Sequence, residues 1–177
     1  MKKHAKPVLS LMLLGSLVVL AAQEVVTDYD HSADFQQYKT YSWMRVKAGD
    51  PLWVDRITRA VDAQLVAKGW SKVDADGDVA VTAFGSTREQ PTLTTFYDGF
   101  GGRWFWRGFG GIATTTVEET PIGTLVVDLF DQHTGKLIWR GVGRDAMSGK
   151  PDKDEKKLEK VVDNMFKHFP PPPRGSK

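Results

Sequence analysis

Residues 123–141 contain two runs of strand-forming residues separated by a short polar turn. The first run, residues 125–130, is apolar on both faces except for Asp128, and residues 137–139 resume the apolar run after the turn. Successive side chains of a strand point to opposite faces, so a run that is apolar on both faces indicates a strand inside a sheet. We therefore predict a β-hairpin at the centre of a sheet, onto which the other elements pack.

Further strand and helix patterns surround this hairpin. Strand patterns occupy residues 24–29, 38–44, 70–73, 78–84 and 112–118, and the first two are predicted to be neighbours. Apolar residues recur at helical spacing within residues 51–69 and 151–169, whereas residues 85–111 show no period. This order predicts an α+β fold, a two-layer sandwich in which two helices pack on one face of a mostly antiparallel sheet.

The core of this fold is predicted to combine one face of the hairpin with the apolar stripes of both helices. The residues expected to be buried together are Leu125, Val127, Val61, Leu65, Val161, Val162 and Met165.

The first 22 residues have the composition of a secretory signal peptide. Lys2, Lys3 and Lys6 form a basic lead, residues 8–20 carry no charge, and small residues end the segment at Ala22. The apolar run is too short to span a bilayer, which needs about 20 residues. We predict that residues 1–22 are removed, that residues 23–169 form one α+β domain, and that the proline-rich residues 170–177 form a flexible tail.

The leader also accounts for the basic character of the chain. The formal net charge is +2 over 177 residues, and it becomes −1 when the three lysines of the leader are removed. A nucleic-acid partner is therefore not expected, because phosphate binding depends on clustered Lys and Arg. The chain has no cysteine, which excludes disulfides, thiol catalysis and thiolate metal sites.

Several short motifs together resemble a known family. They are Asp34-Phe35, residues 38–43, Lys68-Gly69-Trp70, residues 78–81, 123–131 and 135–141, and Phe169-Pro170. This set resembles the bacterial envelope family labelled domain of unknown function 4136, over nearly all of the chain after the leader. The resemblance implies an envelope location and supplies no activity or catalytic residue. Many members look like lipoproteins.

The lipidation signal of such lipoproteins is incomplete in this chain. Leu20, Ala21 and Ala22 match the residues that precede a lipidated cysteine, but position 23 is Gln. Without a thiol there is no group to acylate. The predicted location is therefore periplasmic or secreted after signal-peptide cleavage, without a lipid anchor.

Two aspartate-rich segments raise the question of a metal site. One contains Asp28, Asp30 and Asp34 with His31; the other contains Asp74, Asp76 and Asp78. Neither has the spacing of a calcium loop, and the four histidines are too scattered for a helical zinc site. Short polar residues are also common in turns. We interpret both segments as structural turns and predict no metal and no cofactor.

Asp128 is the one charged residue in the first strand of the hairpin, between Val127 and Leu129. If Asp131 pairs near Lys136, Asp128 lies close to Trp139 on the opposite strand. A half-buried carboxylate there needs a hydrogen-bond donor. The favoured interpretation is a structural hydrogen bond; the alternative is a hydrolase that uses Asp128 with a second carboxylate.

Residues 85–111 combine glycine with large aromatic residues. Gly99-Phe100-Gly101-Gly102 recurs as Gly108-Phe109-Gly110-Gly111, around Arg103, Trp104, Phe105, Trp106 and Arg107. One hypothesis is an exposed contact surface for sugar rings, lipid headgroups or protein, with the arginines contributing cation–π or anionic contacts. The alternative is a hairpin extension whose aromatic residues pack internally.

The chain carries no nucleophile motif, no phosphate-binding loop and no ligand set for a metal. We therefore predict a non-catalytic exported module that binds or scaffolds an envelope component, whether protein, glycan or membrane surface. The predicted binding residues are Arg103, Trp104, Phe105, Trp106, Arg107, Asp128 and Trp139. The alternative function is a carboxylate-dependent envelope hydrolase.

Overall fold

Six strands and two helices make up the part of the chain described by the computed structural model, residues 23–97 and 113–172. In chain order they are β1 (Glu24–Tyr29), β2 (Thr40–Lys47), α1 (Pro51–Ala67), β3 (Ser71–Lys72), β4 (Val79–Tyr97), β5 (Ala113–Asp131), β6 (Leu137–Ala146) and α2 (Pro151–Phe166). The predicted leader 1–22 and the aromatic segment 98–112 lie outside the described residues.

The strands form one sheet in the order β1-β6-β5-β4-β2-β3. Pairing is antiparallel from β1 through β4, while β2 pairs in parallel with β4 and β3. Both helices pack against one face of this sheet. The predicted α+β fold with a mostly antiparallel sheet is confirmed. The β5–β6 hairpin lies inside the sheet, but the middle of the sheet is the β5–β4 pair.

The two N-terminal strands are not neighbours, so that prediction is wrong. β1 forms one edge of the sheet beside β6, whereas β2 lies four positions away beside β4. β1 pairs with β6 over six residue positions, from Glu24 opposite Arg144 to Tyr29 opposite Trp139. Strand composition indicates that both segments are strands, but the choice of partner depends on contacts between residues far apart in sequence.

The two central strands are much longer than their sequence patterns predicted. β4 continues to Tyr97, and β5 begins at Ala113 and runs through Pro121 without interruption. β2 flanks β4 only as far as Phe84, and β6 flanks β5 only from Ile122. Residues 89–97 and 113–121 therefore pair only with each other, in a two-stranded ribbon about 30 Å long that we call the arm.

The arm explains why the strand pattern is lost after Phe84. Alternation of apolar and polar residues arises when one face of a strand is buried against a core. The arm extends past the strands that flank β4 and β5. Its backbone is still a strand, but its sequence does not need to alternate apolar and polar residues. Pro121 lies one residue before β5 begins to pair with β6. Its missing N–H therefore removes no hydrogen bond between β5 and β6.

The first helix begins where its capping residues predict. The Asp50 carboxylate accepts a hydrogen bond from the Leu52 amide at 2.9 Å, and Pro51 occupies the first turn of α1. Gly69, at φ +87°, follows the end of α1, where residues with a side chain are strained. α2 ends at Phe166, three residues earlier than predicted, although Phe169 is still buried. No helix among residues 23–97 and 113–172 is both long and apolar enough to cross a membrane.

The core lies between the sheet and the helices. All seven residues predicted to be buried together belong to one apolar cluster, which confirms the assignment of faces. Six aromatic residues line one end of this cluster and contact one another mostly edge to face: Phe35, Tyr38, Trp70, Trp139, Phe166 and Phe169.

Val127 lies at the centre of the sheet with no exposed surface. Val127→Ala is expected to lower the free energy of unfolding by about 1–3 kcal/mol, because burial is lost and the surroundings close the gap only in part. Denaturant unfolding of the two proteins measures this change. A difference within experimental error would show that Val127 contributes no core packing.

Candidate functional site

A cavity of about 400 Å³ lies between the first turns of both helices and strands β4, β5 and β6. Its walls are mostly apolar and include Trp53 and Ile57 of α1, Leu125 of β5, and Leu158 and Val161 of α2. The volume lies within the range of about 300–1,000 Å³ that is typical of small-molecule sites. The fold thus contains a preformed site of ligand size.

Glycines in the sheet explain this space. Gly85 of β4 and Gly143 of β6 lie on either side of Leu125 in one row across the sheet, and Gly123 lies in the next row. Because glycine has no side chain, Gly85 and Gly143 leave unfilled space between the sheet and the helices. The helices cannot close the gap fully, because Ile57 and Val161 already contact Gly85 and Gly143. The cavity therefore results from small residues aligned across three strands.

Charged groups hold the two helices together beside the cavity. Glu155 of α2 accepts from Arg56 Nε at 3.1 Å and from Arg59 Nη2 at 2.8 Å, both on α1. The Arg56 guanidinium also lies over the Trp53 ring, 4.9 Å from its centroid. These contacts fix the spacing of the first helical turns.

Charged groups also line this mostly apolar space. Asp154 and Lys157 of α2 line the cavity, together with Asp50 and Asp145. Asp154 is 4% exposed, and its Oδ1 accepts from the amide and the hydroxyl of Ser148 at 2.7 and 2.8 Å. These groups were not identified as a site from the sequence, because the β6–α2 connection that brings them together has no distinctive motif.

Asp128 lies on the opposite face of the sheet and pairs with Arg140. The two residues face each other on β5 and β6, and Arg140 Nε and Nη2 donate to the two carboxylate oxygens at 2.6 and 2.7 Å. Asp128 is 5% exposed, and its hydrogen bonds raise the pKa of the Arg140 guanidinium further above its usual value. This bidentate pair supplies the hydrogen-bond donor that a half-buried Asp128 carboxylate needs.

Trp139 does not pair with Asp128, so the predicted register of the hairpin is wrong. Asp131 does bond to Lys136 across the turn, but a β-bulge between Leu129 and Phe130 shifts the register, and Trp139 pairs with Leu129. Trp139 therefore faces the helices, where its ring lies 4.8 Å from that of Phe166. The structure does not bring the two predicted residues together. The other five, residues 103–107, lie outside the described residues.

Loss of Arg140 is expected to destabilise the protein by about 2 kcal/mol, since Arg140→Ala leaves the Asp128 carboxylate buried without its donor. This loss of stability is smaller than that expected for a fully buried ion pair, because about half of the Arg140 side chain is exposed. The double variant Asp128→Thr/Arg140→Thr removes both charges and should be more stable than Arg140→Ala. Denaturant unfolding tests both; equal stability of Arg140→Ala and wild type would contradict the assigned role.

The aspartates of the two acidic segments act in turns and strand connections. Asp30 and Asp34 each accept a hydrogen bond from the amide two residues further along the chain. Asp78 accepts from the Lys39 and Thr40 amides at 2.8 and 2.9 Å, and these bonds lower its pKa. Within the described ranges, no group of three or more His, Cys, Asp or Glu side chains is placed to hold a metal ion.

The fold and the cavity define a two-layer α+β domain with a site of ligand size. The family model "Domain of unknown function (DUF4136)" matches residues 25–171. The chain therefore belongs to this family, as its motifs predicted. No curated protein sequence matches it significantly.

Solved structures align with this chain at low sequence identity. A PDZ domain protein from Parabacteroides distasonis aligns with a TM-score of 0.57 and 14% identity, over 85% of this chain and 36% of that chain. The PelC dodecamer from Paraburkholderia phytofirmans has a TM-score of 0.48 and 12% identity, covering 82% and 95%. Lipoprotein GNA1162 from Neisseria meningitidis has a TM-score of 0.40 and 10% identity, over 73% of this chain and 99% of that chain. The chain thus spans about a third of the Parabacteroides protein, and the likeness concerns the fold alone.

Proposed function

We propose that this protein is a non-catalytic binding module of the bacterial envelope and that the cavity between the helices and the sheet holds its ligand. The observation that supports this proposal is the cavity itself: about 400 Å³, mostly apolar, with several polar side chains in its walls. Sites that bind small molecules share this combination of apolar walls and few polar groups. The ligand is an apolar or amphipathic small molecule.

A hydrolase that uses Asp128 has less support. General acid–base hydrolysis needs a carboxyl group free to exchange a proton with substrate, and a second one at a defined distance. Both oxygens of Asp128 are bonded to Arg140 at 2.6 and 2.7 Å. The pair is a structural connection between β5 and β6.

Binding to the cavity is tested with N-phenyl-1-naphthylamine, an uncharged apolar dye whose fluorescence rises in apolar surroundings. The wild-type protein should bind it, and Leu158→Trp should weaken binding at least about tenfold, because Leu158 lines the cavity and a larger ring fills it. Val66→Trp is the matched control, since Val66 is 56% exposed on α1 and does not line the cavity. Unchanged dye binding by a folded Leu158→Trp variant would overturn the proposal.

Export without a lipid anchor is part of this proposal. It is supported by the basic and apolar leader and by Gln23 at the position of the lipidated cysteine. Mass spectrometry of the protein from its native envelope should give a chain that begins near residue 22 or 23 and carries no acyl group. A mass that includes residues 1–20 or a lipid would contradict it.

The arm favours a second contact surface near residues 98–112. A ribbon of two strands that pair only with each other is marginally stable in water, so a partner would stabilise it. The segment that joins its strands contains the predicted binding residues 103–107. If Trp104 and Trp106 are exposed, Trp104→Ala/Trp106→Ala lowers the fraction of tryptophan fluorescence that acrylamide quenches. An unchanged fraction would rule out this second surface.

A further inference from the structure

The cavity wall contains a carboxylate with one oxygen available. Both hydrogen bonds from Ser148 to Asp154 reach Oδ1, at 2.7 and 2.8 Å, and no donor among the described residues contacts Oδ2. Asp154 lines the cavity, and the residue as a whole is only 4% exposed. Oδ2 is therefore free to accept a hydrogen bond from a bound molecule.

Lys157 lies one helical turn further along α2 and supplies the opposite group. Its ammonium donates to the Ala146 carbonyl at 2.5 Å and lies within 4.0 Å of no carboxylate in the described part of the chain. An ammonium has three N–H donors. At least one remains for an acceptor on a ligand.

The charge of the lining restricts the ligand further. Three aspartates, Asp50, Asp145 and Asp154, line the cavity together with a single lysine, Lys157. A fatty-acid carboxylate would add a fourth negative charge, whereas an alkylammonium would place a second positive charge beside Lys157. An uncharged head that both donates and accepts hydrogen bonds satisfies Asp154 and Lys157 without either repulsion.

We propose that the cavity binds a single-chain amphiphile whose uncharged head group carries hydroxyl or amide groups. The head contacts Asp154 Oδ2 and Lys157 Nζ, and the alkyl chain lies against Leu125, Leu158 and Val161. A volume near 400 Å³, at the lower end of ligand-site sizes, suits one chain rather than two. This inference rests on the proposed binding function and adds the ligand class.

The test is competition against N-phenyl-1-naphthylamine by three amphiphiles with the same alkyl chain: 1-monolauroylglycerol, laurate and dodecylamine. All three are used below their critical micelle concentrations. The glycerol ester should displace the dye at a concentration at least about tenfold lower than either charged compound. Equal or better displacement by laurate or dodecylamine would overturn the head-group assignment.

Two variants separate the head-group contacts from the apolar site. Lys157→Met should weaken displacement by the glycerol ester about tenfold, measured relative to the affinity of the same variant for the dye. Asp154→Asn keeps an acceptor for Ser148 and removes one negative charge, so it should improve displacement by laurate relative to wild type. If Lys157→Met leaves displacement by the glycerol ester unchanged and Asp154→Asn leaves displacement by laurate unchanged, the inference is wrong, even where the dye still binds. Absence of dye binding by wild type would instead overturn the proposed function itself.

Discussion

Phe166→Ala is expected to lower the free energy of unfolding by about 3–5 kcal/mol, more than any other single truncation considered above. Phe166 has no exposed surface, and its ring lies 4.8 Å from Trp139 and 5.3 Å from Phe169. The truncation removes apolar burial and ring contacts at once, and the aromatic cluster is too interlocked to close the space.

Guanidinium chloride unfolding measures the change for Phe166→Ala. Leu52→Ala provides the control, because Leu52 lies on α1 with 67% of its surface exposed and should change stability by less than about 0.5 kcal/mol. A loss below 1 kcal/mol for Phe166→Ala, on the order of a surface substitution, would show that the aromatic cluster is not a principal part of the core.

Gly77→Ala is expected to cost about 3 kcal/mol, although it adds only a methyl group. Gly77 precedes β4 and lies against β2, and a Cβ at this position would be 2.6 Å from the Tyr41 carbonyl carbon and 2.7 Å from the Ser42 nitrogen. These are backbone atoms of a paired strand, so the clash is relieved only by moving β2 away from β4. The parallel β2–β4 pairing is therefore sensitive to a single methyl group.

Gly49→Ala is the matched control for Gly77→Ala, because no atom lies within 4 Å of a Cβ built on Gly49. Its effect on thermal unfolding should be small. If both alanine variants unfold at the same temperature as wild type, the close contact between Gly77 and β2 does not exist in solution.

The cavity connects these packing arguments with function. The same glycines that allow the helices to approach the sheet at Gly85 and Gly143 leave the layer incompletely filled beside them. Substitutions that fill this space are expected to stabilise the fold, because they add packing contacts. They should also weaken ligand binding, because the space they fill is the binding site. Measuring both quantities for Leu158→Trp distinguishes a binding site from a simple defect.

The sequence alone was sufficient to predict the elements whose signals are local. The Asp50-Pro51 start of α1, the hairpin strands and the seven core residues follow from capping chemistry and from the periods of helix and strand. These features depend on residues within one or two turns of each other. The structure accordingly confirms them with small shifts at the helix ends.

Only the tertiary structure decided which elements meet. The bulge at Leu129 and Phe130 moved Trp139 to the helix face and placed Arg140 opposite Asp128. Strand pairing separated β1 from β2, and the alignment of Gly85 and Gly143 across β5 created the cavity. A shift of one residue in strand register moves each side chain to the other face of the sheet. Which distant segments pair cannot be read from the periodicity of either segment. The partner of Asp128 and the cavity therefore followed from pairing between strands rather than from any single stretch of sequence.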